Sequence, residues 1–184
     1  MAAAADSVRE QGVRGLSIAT VLDRVQLGTR AFYRHFESKD HLVAAVFLEM
    51  AQAEKRRLKR KMDSAATAVL AVTAWIDGRL DLAFDDTIKS DLRYVSSEAQ
   101  SQLFASPSLV QPAYAEMLQP LVEAIARGLG GGEFHDIDPV AAAQSIHGVV
   151  WAGTEQQWAT GDCDRAATRE SIVRFCLRGL GVTR

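Results

Sequence analysis

Residues 16–42 constrain the fold more than any other part of the sequence. Ser17 is a natural N-cap, and Ile18, Val21, Leu22 and Val25 after it fall on one helical stripe. Gln26 and Leu27 make a short turn, and a second helix is expected over residues 28–36. Ser38 is the next N-cap, with Asp40 early in the turn that follows. Phe32 and Phe36 are four residues apart, so they share a face and can anchor the second helix against its neighbours. The opposite side then presents Arg30, Tyr33 and Arg34, with Thr29 near the start. Two short helices joined by a tight turn are the architecture of a helix-turn-helix, whose second helix enters the DNA major groove.

The remainder also reads as helix. Ala, Leu, Arg, Glu and Gln dominate, and the alternating β-branched runs that strands need are few. The expected class is therefore all-α, with about nine helices. The first covers residues 2–11 and stops at Gly12, and the fourth runs from Ser38 to about Met62. A fifth is expected from Asp63 or Ser64 to about Phe84, and a sixth over residues 89–105. A seventh begins at Pro107 and ends in the glycine run 128–132, with Pro112 and Pro120 predicting a kink or a split. Pro139 opens an eighth helix to about Thr160, and the last covers residues 165–178. The expected division is a three-helix DNA-binding domain over 1–47 and a helical effector-binding and dimerisation domain over 48–184.

Composition limits the function classes. The chain has 184 residues, 48% hydrophobic and 24% charged, which is ordinary for a globular protein and wrong for a disordered one. No apolar window is long enough to span a bilayer, and the N-terminus lacks a secretory signal, so a cytoplasmic protein is expected. Up to Met62 there are 12 Lys+Arg against 7 Asp+Glu, and beyond it 9 against 16. A basic front on an acidic body suits a polyanionic partner at the N-terminal end. The basic run 55–61 reads as a solvated helix end rather than a second DNA surface. Cys163 and Cys176 make no close pair, and His35, His41, His135 and His147 lack metal-ligand spacing, so no metal or cofactor is expected. The sequence also lacks nucleophile-elbow, phosphate-loop and zinc-helix motifs, which points away from an enzyme.

Arginine can donate two bonds to guanine, while tyrosine and threonine reach phosphates or the thymine methyl. His35 and Lys39 would flank the groove, and Ser17 would offer its hydroxyl to a phosphate. Residues 28–40, Gly-Thr-Arg-Ala-Phe-Tyr-Arg-His-Phe-Glu-Ser-Lys-Asp, resemble the characteristic run of the TetR/AcrR family of bacterial transcription regulators. The close match covers about residues 4–47. The resemblance implies a nine-helix, homodimeric, ligand-responsive repressor of a palindromic operator. Its DNA contacts would be Ser17, Thr29, Arg30, Tyr33, His35 and Lys39. One departure stands out: the family's turn usually carries Ala-Gly where this chain has Val25-Gln26. If that residue takes positive φ, glutamine bears a strain that glycine avoids.

In the body, Trp75, Arg79, Tyr94, Tyr114 and Trp151 are candidates to line an apolar effector cavity with a few polar groups. Helical stripes nominate His147, Val150, Trp151, Thr154 and Trp158, with Ile172, Phe175 and Cys176, for a dimer interface. A helical protein-interaction module without DNA binding is the competing expectation.

Overall fold

The computed structural model describes residues 2–85, 99, 102 and 106–182, leaving aside the side chains of Arg9 and Arg14. Eight helices lie among the described residues: α1 (Ala2–Gly15), α2 (Ile18–Arg24), α3 (Thr29–Tyr33), α4 (Lys39–Met62), α5 (Ala68–Phe84), α6 (Pro107–Gly130), α7 (Pro139–Thr160) and α8 (Arg165–Gly179). No strand occurs among them, and the chain is all-α as expected. The helix expected over 89–105 lies outside the described residues, apart from Ala99 and Gln102, both of which are helical.

Two compact units emerge: Met1–Ala53 with Lys89–Glu116, and Glu54–Ile88 with Met117–Arg184. The first unit is built on α1 to α3 and the first part of α4. Its core gathers Val8, Leu16, Leu22, Phe32, Val43 and Phe47, joined by Val110 of α6. Gly12 takes φ 71 and ψ 174, a non-helical break at which the first stretch of α1 stops as expected, and a short second stretch runs on to Gly15. Ser17 caps α2, although its hydroxyl stands 3.5 Å from the Thr20 amide. Ser38 caps α4 through the His41 amide at 3.1 Å.

In the second unit α5 packs against both α7 and α8, and α7 packs against α8. Trp75, Ile76, Leu80, Leu121, Ile125 and Phe134 are fully buried. Gly153 permits the close approach of α7 and α8, because a Cβ there would meet Ile172 Cδ1 at 2.8 Å. Asp138 and Asp164 cap α7 and α8, each accepting a backbone amide at 2.7 Å.

Three boundaries differ from expectation. Helix α3 has only five residues and ends at Tyr33, because His35 and Phe36 both turn their amides back to the Phe32 carbonyl, at 2.9 and 3.0 Å. Helix α5 starts at Ala68, not near Asp63: Thr67 is its N-cap, and the Glu133 carboxylate accepts the amides of Ala68 and Val69 at 3.0 and 3.2 Å. A charged cap supplied from that far along the chain satisfies two orphan amides and complements the helix dipole. Helix α6 runs unbroken past Pro112 and Pro120 to Gly130, so neither proline splits it.

Candidate nucleic-acid interface and helical body

The exposed face of α3, the candidate reading face, follows from what the helix buries. Phe32 is 5% exposed and packs on Phe36, ring centroids 5.5 Å apart, while Phe36 meets His41 edge-on at 5.8 Å. That aromatic seat fixes the rotation of α3. Thr29, Arg30, Tyr33, Arg34 and His35 are left exposed, and Tyr33 keeps 60% of its surface in solvent while its ring stands edge-on to Phe32. Arg30 and Arg34 have no ion-pair partner among the described residues, whereas Arg24 is held by Glu10, so its charge ties α1 to α2. Ser17 and Lys39 are half-buried at the starts of α2 and α4.

The turn before α3 has a definite geometry. Gln26 takes φ 52, so the strain anticipated for a glutamine in a glycine position is present. On either side of it Val25 and Leu27 are exposed at 42% and 55%. Both side chains are apolar, and Val25 falls by sequence on the helical stripe of Ile18, Val21 and Leu22. Their exposure comes from the chain leaving the helix at Arg24, a boundary that periodicity does not mark.

In the second unit Trp75 and Arg79 are both buried on α5, whereas Tyr114 of α6 packs against the core of the first unit. Tyr94 lies outside the described residues. Trp151 is half-buried and stacks edge-on with Trp158 at 5.4 Å. Of the interface candidates, His147, Val150, Thr154, Ile172 and Cys176 are buried within the chain's own fold. Phe175 is not: it is 66% exposed. It overhangs an open apolar groove of about 340 Å³ lined by Ile137, Ala141, Ile146, Val149 and Leu180. Burial pushes the neighbouring Cys176 thiol up to about 11, which keeps it a neutral, apolar member of that wall.

An ion-pair network, which the sequence did not reveal, joins the tail of α4 to α5 and α8. Glu54 accepts Arg57 at 2.7 Å and Arg79 at 2.7 Å, and Arg57 also donates to the Gly78 carbonyl at 2.6 Å. Asp81 accepts Lys61 at 2.7 Å and Arg165 at 2.9 Å, while Asp77 holds Arg169. Burial raises the Glu54 carboxyl, but the hydrogen bond from Arg57 and the charges of Arg79 and Arg57 outweigh it, and the net shift is downward. Part of the basic run 55–61 is thus turned inward. Only the Glu54–Arg57 spacing was legible locally; the other partners are brought together by the fold. Among the described residues, no group of three or more His, Cys, Asp or Glu gathers to hold a metal. No helix there is long and apolar enough to cross a membrane.

Comparison with known proteins places this geometry. Residues 1–46 match the family described as bacterial regulatory proteins, tetR family. No curated protein matches the chain. Among solved structures, the transcriptional regulator FadR from Bacillus subtilis in complex with stearoyl-CoA superposes with a TM-score of 0.73 at 19% identity, covering 97% of this chain and 96% of that one. The fatty acid degradation regulator FadR from Bacillus halodurans gives 0.71 at 18% identity, covering 99% and 94%. NemR of E. coli in its reduced form gives 0.68 at 16%, covering 95% and 91%. Residues 1–46 thus match the N-terminal module of the tetR family of bacterial regulatory proteins, and the chain shares the fold of these solved regulators over nearly its whole length.

Proposed function

We propose that this protein is a ligand-responsive repressor that binds a palindromic operator as a homodimer in the cytoplasm and is modulated by a small, mostly apolar effector. The observation that carries the reading is the division of α3, with Phe32 buried and Thr29, Arg30, Tyr33 and Arg34 exposed together. A five-residue helix reads only a few base pairs, so a second copy is needed to make a specific site. In this reading residues 1–47 form the DNA-binding domain and residues 48–184 the effector-binding and dimerisation domain.

Arg30 and Tyr33 read base edges and adjacent phosphates, Thr29 and His35 sit at the rims of the groove, and Ser17 and Lys39 hold the backbone. The open groove under Phe175 is where a second copy packs, since it is apolar and continuous across α7 and α8. The B. subtilis neighbour is in complex with stearoyl-CoA, which supports a ligand-responsive reading. Helix α4 supplies side chains to both units, so an effector that favours one packing of its tail biases its head.

Selection of bound fragments from a random duplex pool tests the reading. A palindromic consensus, bound by wild type and lost with Tyr33→Ala while the dimer persists in sedimentation, is the expected result. Recovery of no consensus, with an intact dimer, would instead support a protein-interaction module.

A further inference from the structure

A second set of donors, remote in sequence from the reading face, lies in the body. Trp75 and Arg79 stand four residues apart on α5 and share one face. Both are buried, at 0% and 6% exposure. The Trp75 indole meets the His147 ring of α7 edge-on, centroids 6.3 Å apart, and the charge of Arg79 is felt at His147. The three side chains therefore converge between α5 and α7. Trp75 and Arg79 can only donate hydrogen bonds, through an indole N–H and a guanidinium, whereas the neutral His147 ring carries one donor and one acceptor nitrogen. Trp75 Nε1 is enclosed with no hydrogen-bond partner among the described residues. Such a buried donor is costly to leave unmet, and those that persist call for an explanation.

The charge balance points the same way. Arg79 has Glu54 as its ion-pair partner, but Glu54 is shared with Arg57. Asp81 in turn serves Arg57, Lys61 and Arg165, at 3.7, 2.7 and 2.9 Å. Asp85 adds its field at Arg57. Among the described residues four cations thus face three carboxylates, one positive charge in excess. Burial first, and then the charge of Arg79, keeps His147 neutral, so it neither adds to that excess nor cancels it. The buried apolar residues of α5 and α7 include Val72, Ile76, Ala143, Ile146 and Val150, with Asp81 and Thr154 as further buried polar residues.

We propose that Trp75 and Arg79 form the polar end of the effector site and receive the carboxylate of an otherwise apolar organic acid. One indole donor and one excess positive charge match a monoanion that accepts hydrogen bonds. The proposal rests on the effector reading above and names the effector's chemical class.

Naphthalene-2-carboxylate and decanoate, each compared with its methyl ester, are suitable probes. Binding is read by titration calorimetry, with release of the selected duplex measured in parallel. The acids are expected to bind at least ~10-fold more tightly than the esters. Arg79→Met should erase that preference, and Arg79→Lys, which keeps the charge, should retain part of it. Trp75→Phe leaves the ion network in place and should weaken the acids about 5- to 10-fold without touching the esters. Esters binding as well as acids, neither class binding, or a preference that survives Arg79→Met would each overturn the proposal. Esters that release the duplex as well as acids do would sink the head-group assignment but leave the regulator intact. Acids that bind through Arg79 without releasing the duplex would sink the effector reading instead.

Discussion

The amide of Leu27 donates to the carbonyl of Leu22 at 3.0 Å, closing the end of α2 around a left-handed Gln26. The Gln26 amide turns back to Asp23 at 3.1 Å, so both bonds of a Schellman closure are made without the usual glycine. A left-handed L-residue costs ~1–2 kcal/mol, part of which glycine returns through its larger unfolded-state freedom. Gln26→Gly is expected to raise stability in urea by ~0.5–1 kcal/mol. Gln26→Val, β-branched at the same φ, should lower it. A neutral glycine variant would show that the turn carries no strain.

How much of this was legible follows from how local each determinant is. Ser17, Ser38 and Pro139 mark helix starts, and Gly12 and Gly161 mark left-handed turns at φ 71 and φ 73, all through their own backbone preferences. The start of α5 was misplaced because Glu133 sets it from a distant turn. The length of α3 was overestimated because its end depends on amide choices at His35 and Phe36 that residue type does not dictate. The burial of Phe32 and the exposure of Tyr33 were legible because the two are neighbours whose sides are settled by one helix. The Trp75–Arg79–His147 group was not visible as a unit, since α7 joins it only in the fold.

Phe32 and Tyr33 separate folding from recognition. Phe32→Ala removes a ring that is 5% exposed at the centre of the first unit and should destabilise it by ~3–5 kcal/mol. Tyr33→Ala removes one that is 60% exposed and should change stability by less than ~0.5 kcal/mol. Duplex affinity should nevertheless fall for Tyr33→Ala. A large loss of stability on replacing Tyr33 would reassign it to packing.

Arg30 and Lys39 should fail in different ways. Arg30 is exposed on α3, and Arg30→Ala is expected to relax discrimination at one base-pair position by ~1–3 kcal/mol. Lys39 sits half-buried at the start of α4, and Lys39→Ala should weaken all sequences about equally, reducing the salt slope by about one. Competition titrations on single-base operator variants at several salt concentrations distinguish the two. An unchanged base preference in Arg30→Ala would remove it from the reading set.

His147 gives the fold a pH signature. Burial, aided by the Arg79 charge, lowers its pKa from 6.5 to about 3. Below 6.5 the unfolded chain takes up a proton that the folded chain refuses, so stability falls with acidification until about 3, where the folded form also protonates. The slope approaches ~1.4 kcal/mol per pH unit. Glu54, whose pKa is lowered, acts in the same direction, but only below the ordinary carboxylate value of 4.5. Denaturation midpoints between pH 6 and 5 therefore isolate the histidine, and His147→Phe should flatten that stretch. A wild-type profile already flat there would contradict a neutral, enclosed imidazole.

Phe175 tests the association face in isolation. Its ring is 66% exposed beside an apolar groove, an arrangement a solitary protein gains nothing from, while His147, Val150 and Ile172 of the same stripes are already used inside the chain. Phe175→Asp places a charge where a second copy would bury a ring, leaving the core positions Ile172 and Cys176 in place. Monomer stability should stay within ~0.5 kcal/mol of wild type, while the dimer dissociates at least ~10-fold more readily in sedimentation equilibrium. Operator binding should then become strongly dependent on protein concentration, because two reading helices must be brought together at the cost of free association. A variant that remains as firmly dimeric as wild type would move the interface away from this groove, and with it the expected spacing of the two α3 helices.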